Sequence, residues 1–162
     1  LFKNKYRVLK IGLFYALGLL IVAYYMELIL KLDPCMLCYL QRGSVICIGV
    51  TCLIALIHKR YFLGYILISV FFSLLGSALA IRQLYLQGLP PESSPSCGPD
   101  FNYLIQNAPF TEIFLTAIKG DGNCAEILWQ FLGLSIPGWL LLALSLIVGF
   151  FIISLKKLKT SL

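Results

Sequence analysis

Four apolar runs decide what this chain can become. A bilayer core of ~30 Å is crossed by about 20 helical residues. Runs of that order lie at about residues 11–30, 39–57, 61–86 and 137–155. Composition agrees, with 60% of the 162 residues hydrophobic and 12% charged. An ordinary soluble domain carries about 25% charged residues. Mean hydropathy is +0.91. The expected fold is all-α, a four-transmembrane-helix bundle, and at this length a single domain over 1–162. The first run is too long and too evenly apolar for the core of a signal peptide.

Charge placement predicts the orientation. Lys3, Lys5, Arg7 and Lys10 precede the first run, Lys59 and Arg60 join the second to the third, and Lys156, Lys157 and Lys159 follow the fourth. Asp33, Glu92, Asp100, Glu112, Asp121 and Glu126 all fall on the other side, beside Lys31 and Lys119. The positive-inside rule then puts both termini and the 58–60 turn in the cytoplasm. Loops at about 31–38 and 87–136 face out. The net charge of +6 is therefore a topology signal. Basic residues dispersed over span ends make a poor nucleic-acid surface.

The long outer loop carries its own signals. GLPPESSPSCGPD, residues 88–100, has too much Pro, Ser and Gly for regular structure, which predicts a mobile, exposed Cys97. FTEIFLTAI, residues 110–118, puts Phe110, Ile113, Phe114, Ala117 and Ile118 on one helical face. It is too short to span and predicts an amphipathic helix on the membrane surface. KGDGN, residues 119–123, reads as a turn. Cys124 then opens a second short helix reaching Trp129 and Phe131. Trp129 and Trp139 suit the aromatic belt at the interface.

Four of the six cysteines, Cys35, Cys38, Cys97 and Cys124, face a compartment where disulfides persist. In DPCMLCYLQR, residues 33–42, Pro34 fits the first helical position and Asp33 the cap. Cys35 and Cys38 then fall in the first turns of the second span. The helix dipole and its unpaired N–H groups favour thiolate, so both pKa values are expected to fall. Arg42 lies on the same stripe as Cys38, and an arginine in an apolar span usually has a function. A redox dithiol explains this arrangement better than a structural disulfide beside a snorkelling arginine. Cys97 and Cys124 fit either a structural staple worth ~3–4 kcal/mol or a second exchanging pair. Zinc is disfavoured, because structural zinc sites build from closely spaced ligand pairs and His58 lies on the opposite side. Cys47 sits ~13 Å below Cys38 along a helix, beyond disulfide reach. Cys47 and Cys52 are read as packing residues. Arg82 reads as an interfacial snorkeller, with Glu27 as its partner.

CMLCYLQR (35–42), SCGPD (96–100) and GNCAEILWQFLGLSIPGW (122–139) together resemble the DsbB family. These are quinone-reducing thiol oxidases of bacterial inner membranes, and the resemblance covers essentially the whole chain. It implies a four-helix bundle around a ubiquinone or menaquinone near the periplasmic face. It implies that Cys97 takes the attack of a reduced periplasmic thioredoxin-fold partner of the DsbA type, with Cys124 as its disulfide mate. Cys35 would exchange with that pair, Cys38 would face the quinone, and Arg42 would bind it. Two positions depart from the family pattern. Gly88 stands where many members have His, and Gln41 where Glu is frequent. The dithiol would lie at the interface because it joins a water-borne reductant to a lipid-borne oxidant. Two rivals stand beside this reading: a vitamin K epoxide reductase-like enzyme, and a non-enzymatic tetraspan protein stapled by disulfides.

Overall fold

A computed structural model of the chain describes residues 2–90, 106, 109, 111, 115, 120 and 122–160. Its elements are α1 (Phe2–Leu28), α2 (Met36–His58), α3 (Phe62–Gln87), a short α4 (Gly122–Ala125), β1 (Gln130–Phe131), β2 (Leu134–Ser135) and α5 (Ile136–Thr160). The stretches Tyr6–Leu28, Met36–His58, Phe62–Gln87 and Ile136–Lys157 are long and apolar enough to cross a membrane. The chain is thus the all-α, four-span bundle expected. Helix α1 begins well before its apolar run, because the Lys- and Arg-rich start contains no breaker and those residues favour helix. Cys97, and all but isolated positions of the expected helix at 110–118, lie outside the described residues.

Neighbours in sequence pack on one another: α1 on α2, α2 on α3, α3 on α5. Lys59 and Tyr61, at φ 54° and 53°, turn the chain sharply between α2 and α3. Leu9, Ala16, Val45, Ile48, Cys52 and Phe151 form the buried centre. Large apolar side chains such as Phe14, Ile21, Leu67 and Leu146 point outward, as lipid-facing residues do. Lipid tails are as apolar as leucine, so close approach of small residues, rather than hydrophobic burial, joins such helices. Ser69, Ser73, Gly76 and Ala80 supply that close surface on α3. The hydroxyls of Ser69 and Ser73 donate back to the carbonyls of Tyr65 and Ser69, at 2.9 and 2.8 Å. Both hydroxyl hydrogens thus have acceptors within their own helix.

Two local expectations are corrected. The second helix starts at Met36, with Cys35 as its N-cap in extended conformation. The Tyr39 N–H donates to the Cys35 carbonyl at 3.2 Å, the first bond of that helix. Asp33 is therefore not the cap, and Pro34 precedes the helix rather than opening it. Cys124 does lie in a short helix, α4, but that helix ends at Ala125, and the stretch expected to continue it to Trp129 and Phe131 is irregular and then a hairpin. Gln130 pairs with Ser135 and Phe131 with Leu134, antiparallel. Leu132 and Gly133, at φ 51° and 82°, give the two positive-φ residues that a type I′ turn requires. The Trp139 indole N–H donates to the Phe131 carbonyl at 3.2 Å, and Trp129 stacks on the Phe131 ring.

Close packing at Gly76 gives a first prediction. A Cβ there would lie 2.9 Å from Leu144 Cδ1 and 3.2 Å from Ser44 Cβ, whereas one at Gly64 would meet nothing within 4 Å. Overpacking of this kind costs ~1–3 kcal/mol. Thermal unfolding in detergent is expected to show a lowered midpoint for Gly76→Leu and little change for Gly64→Leu.

Candidate functional site

Gln41 and Arg42 of α2 and Gln83 of α3 gather where α2 begins, beside Cys35 and Cys38. Cys35 Sγ and Cys38 Sγ lie 3.2 Å apart. Across from them on α3 stands Gln83, 4% exposed. Its Nε2 is 3.4 Å from Cys35 Sγ and 3.5 Å from Cys38 Sγ. Its Oε1 accepts from Gln41 Nε2 at 2.9 Å. A lone glutamine in IRQLYLQG carries no motif, so the sequence does not single out Gln83. Its one signal was an amide within an apolar run.

The third sulfur arrives from outside the bundle. Cys124 is fully buried, in a cluster with Leu37 and Leu86, and Cys35 packs against that cluster. Gly120 makes this approach possible. It has φ +76°, and a Cβ there would overlap Leu86 Cδ1. The structure thus brings Cys35, Cys38 and Cys124 together. It does not describe Cys97. Cys52 is buried in the bundle core, its Sγ 3.9 Å from Ser69 Oγ, and Cys47 is half-buried on the same helix.

The expected fall in the Cys35 pKa is overturned. Its hydrogen bond to the Cys124 side chain, then that to Cys38, then burial, push the Cys35 thiol well above the ordinary cysteine range. The physical reason is the shifted helix start. As N-cap, Cys35 makes no side-chain bond to the helix N–H groups. Its sulfur meets other sulfurs instead of the positive end of α2.

Arg42 lies behind the dithiol on α2. Its guanidinium forms an ion pair with Glu27 of α1, and its Nη2 donates to the Ala23 carbonyl at 3.2 Å. The rings of Tyr24 and Tyr39 lie 5.2 and 5.8 Å from it. Glu27 therefore partners Arg42 and not Arg82. The Arg82 guanidinium sits 5.5 Å from the Tyr85 ring. Between α1, α2 and α5 opens a cavity of about 460 Å³. Cys35, Cys38, Gln83 and Arg42 border it, with apolar walls including Leu20, Met26 and Leu140.

A thiol pair, a third thiol in contact and an intramembrane cation are the parts of a disulfide-exchange site. The family model described as disulfide bond formation protein DsbB matches residues 5–154. The chain belongs to the DsbB family. It is similar to the disulfide bond formation protein B of Marinobacter nauticus, 45% identical over 134 residues, 81% of this chain and 80% of the relative. That of Hahella chejuensis is 42% identical over 129 residues, 78% of each chain. That of Stutzerimonas stutzeri is 41% identical over 143 residues, 86% of each. As a DsbB-family chain with four membrane-capable helices, it is a multi-pass membrane protein of disulfide bond formation, a thiol–disulfide oxidoreductase.

Two predictions follow from the sulfur geometry. Thiolate is the form that reacts, so a raised pKa leaves little reactive Cys35 at neutral pH. Alkylation of reduced Cys35 is expected to rise only above the ordinary cysteine range, and Cys124→Ala is expected to bring the midpoint down. Peptide mapping after pulses of iodoacetamide measures both. Gly120→Ala forces a side chain into a left-handed backbone, at about 1–3 kcal/mol, and into Leu86. In a Cys38→Ser, Cys97→Ser background, mild oxidation is expected to link Cys35 to Cys124. Gly120→Ala should slow that link about tenfold.

Proposed function

We propose that this protein reoxidises a periplasmic thioredoxin-fold dithiol oxidase of the DsbA type and passes the electrons to a membrane quinone. The observation that carries the reading is the meeting of three sulfurs beside an apolar cavity. Cys124 comes from outside the bundle, Cys35 from the loop–helix junction, Cys38 from within the span.

Each exchange is a thiolate attack through a mixed disulfide. A partner thiolate attacks Cys97, the Cys97–Cys124 bond breaks, and the electron pair leaves on Cys124. The partner's second thiol attacks the mixed disulfide, releasing oxidised partner and Cys97 as thiol. Cys124 attacks Cys35 of a Cys35–Cys38 disulfide, and the pair moves to Cys38. Cys97 then attacks Cys124, restoring the Cys97–Cys124 bond and leaving Cys35 and Cys38 reduced. The contact between Cys35 and Cys124 supports the third step.

A bound quinone supplies a two-electron, two-proton acceptor for the reduced pair. The residues present fit such a group, since the cavity is mostly apolar and has Cys38 and Arg42 at its wall. Arginine has five N–H donors. Glu27 and Ala23 each engage one nitrogen, and the remaining donors suit a ring carbonyl. Glu27 also balances the charge, which lowers the cost of Arg42 in the span. Gly88 ends α3 with φ −88° and offers no side chain, so Arg42 acts there without an imidazole at that position.

The chain is proposed as one four-helix domain of the bacterial inner membrane, with both termini cytoplasmic and the cysteines periplasmic. Arg7, Lys10 and Lys59 gather round one hollow at the end of the bundle away from Cys35, in keeping with the positive-inside rule. Reporter fusions after Arg60 should register cytoplasm, and fusions near Glu92 periplasm.

The functional test is oxidation of a reduced DsbA-type protein by the purified protein, with ubiquinone or menaquinone varied. Oxidation should require quinone and should be lost with Ser at Cys35, Cys38, Cys97 or Cys124. Hydrogen bonds to charged groups are worth ~1.5–3 kcal/mol, so Arg42→Ala should raise the apparent quinone KM roughly ten- to a hundredfold, with Arg42→Lys between. An unchanged KM and rate in Arg42→Ala would move the quinone site elsewhere.

A further inference from the structure

We propose that Gln83 is a catalytic residue of the dithiol, donating its side-chain N–H to whichever of Cys35 and Cys38 carries negative charge, and that Gln41 is the positioning residue that fixes its orientation. The inference rests on the redox reading of Cys35 and Cys38 above and adds an electrostatic partner for their sulfurs.

An amide has a donor end and an acceptor end, and a buried amide needs partners for both. Gln41, 3% exposed, directs its N–H at Gln83 Oε1. With its oxygen so held, Gln83 turns its nitrogen to the two sulfurs, 3.4 and 3.5 Å away. Rotating the Gln83 amide alone would set nitrogen against nitrogen at 2.9 Å and lose that bond.

When the Cys124 thiolate attacks Cys35, the Cys35–Cys124 bond forms and the Cys35–Cys38 bond breaks. The electron pair stays on Cys38 as thiolate. That charge develops in an apolar span, where water does not stabilise it. The nearest cation, Arg42, is ion-paired with Glu27, which blunts its field. Gln83 offers a donor at hydrogen-bonding distance with no charge of its own to desolvate. A preoriented neutral donor of this kind acts as an oxyanion-hole donor does, with sulfur in place of oxygen. Contact with both sulfurs lets one amide serve before and after the pair shifts.

The test uses the full-length protein in detergent and near-isosteric Gln83→Met and Gln41→Met, which keep volume and remove the amide. One readout is the reduction potential of the Cys35–Cys38 pair against glutathione or dithiothreitol buffers. The other is the iodoacetamide rate of Cys38 at fixed pH in a Cys35→Ser background. Neither involves quinone, and packing alone would move neither. Losing a hydrogen bond to a charged group is worth about tenfold or more. Gln83→Met should slow alkylation by about that factor and shift the exchange equilibrium tenfold towards disulfide, about 30 mV downward. Gln41→Met should move both the same way by less. The double variant should be no worse than Gln83→Met, since the two residues act as one unit. Unchanged potential and rate in folded Gln83→Met overturns the proposal. If Gln83→Met does not fold, unchanged values in Gln41→Met overturn the positioning role and with it the proposal. A wild-type pair inert to dithiothreitol overturns the redox reading itself, a result distinguishable from the other two.

Discussion

The absence of water within a membrane span is the constraint on which the rest of this structure depends. A polar side chain there has to find its partner on a neighbouring helix or in its own preceding turn. Among the described residues every buried side-chain nitrogen and oxygen does so. The serines of α3 bond back to their own turns. Gln41 and Gln83 bond to each other across α2 and α3. Arg42 reaches across to Glu27 of α1. These side chains mark the helix pairs that must stay in register. Two of the three sets converge on the same dithiol. The polar contacts that hold the bundle are therefore also those that define the environment of its sulfurs.

That convergence explains where the cavity lies. Helix α1 packs on α2 and only lightly on α5, although the Tyr15 hydroxyl donates to the Ala143 carbonyl at 2.9 Å. The cavity at the cysteine end is walled by apolar residues of both helices, with Arg42 and the dithiol along one side. The hairpin before α5 closes part of that end. Its turn would be disfavoured at Leu132, an apolar residue at positive φ, were the strands not held by Phe131 between the two tryptophans.

Much of this was legible in the sequence, because length and period are local properties. Twenty apolar residues make a span whatever surrounds them, and a CxxC near a helix start puts two sulfurs within reach of each other. The misreadings share a different cause. Pro34 is compatible with the first helical position, but the chain begins its helix two residues later, where Cys35 turns towards Cys124. That choice is tertiary, and it reversed the expected direction of the Cys35 pKa. WQFLGLSIP lacks the Asn-Gly or Asp-Gly signature of a tight hairpin, and its aromatic residues suggested a helix. Glu27 pairs with Arg42 rather than Arg82, and sequence alone does not specify which helix faces which. Gln83 went unseen for a related reason. An amide acquires meaning only when its partners are known, and those lie on another helix.

The placement of Cys35 outside the helix and Cys38 inside it carries a last consequence. Had Pro34 opened the helix, both sulfurs would feel the same backbone N–H groups and the same dipole, and would compete for the negative charge. With Cys35 as cap, the two are made unequal. Cys35 holds its proton against the sulfurs of Cys124 and Cys38, while Cys38 sits a turn further in, within the span. For a pair proposed to take electrons on one side and release them on the other, that inequality gives direction. In the proposed sequence the attack falls on Cys35, at the loop–helix junction, and the electron pair is left on Cys38, inside the span. A shift of two residues in the helix start separates the two positions.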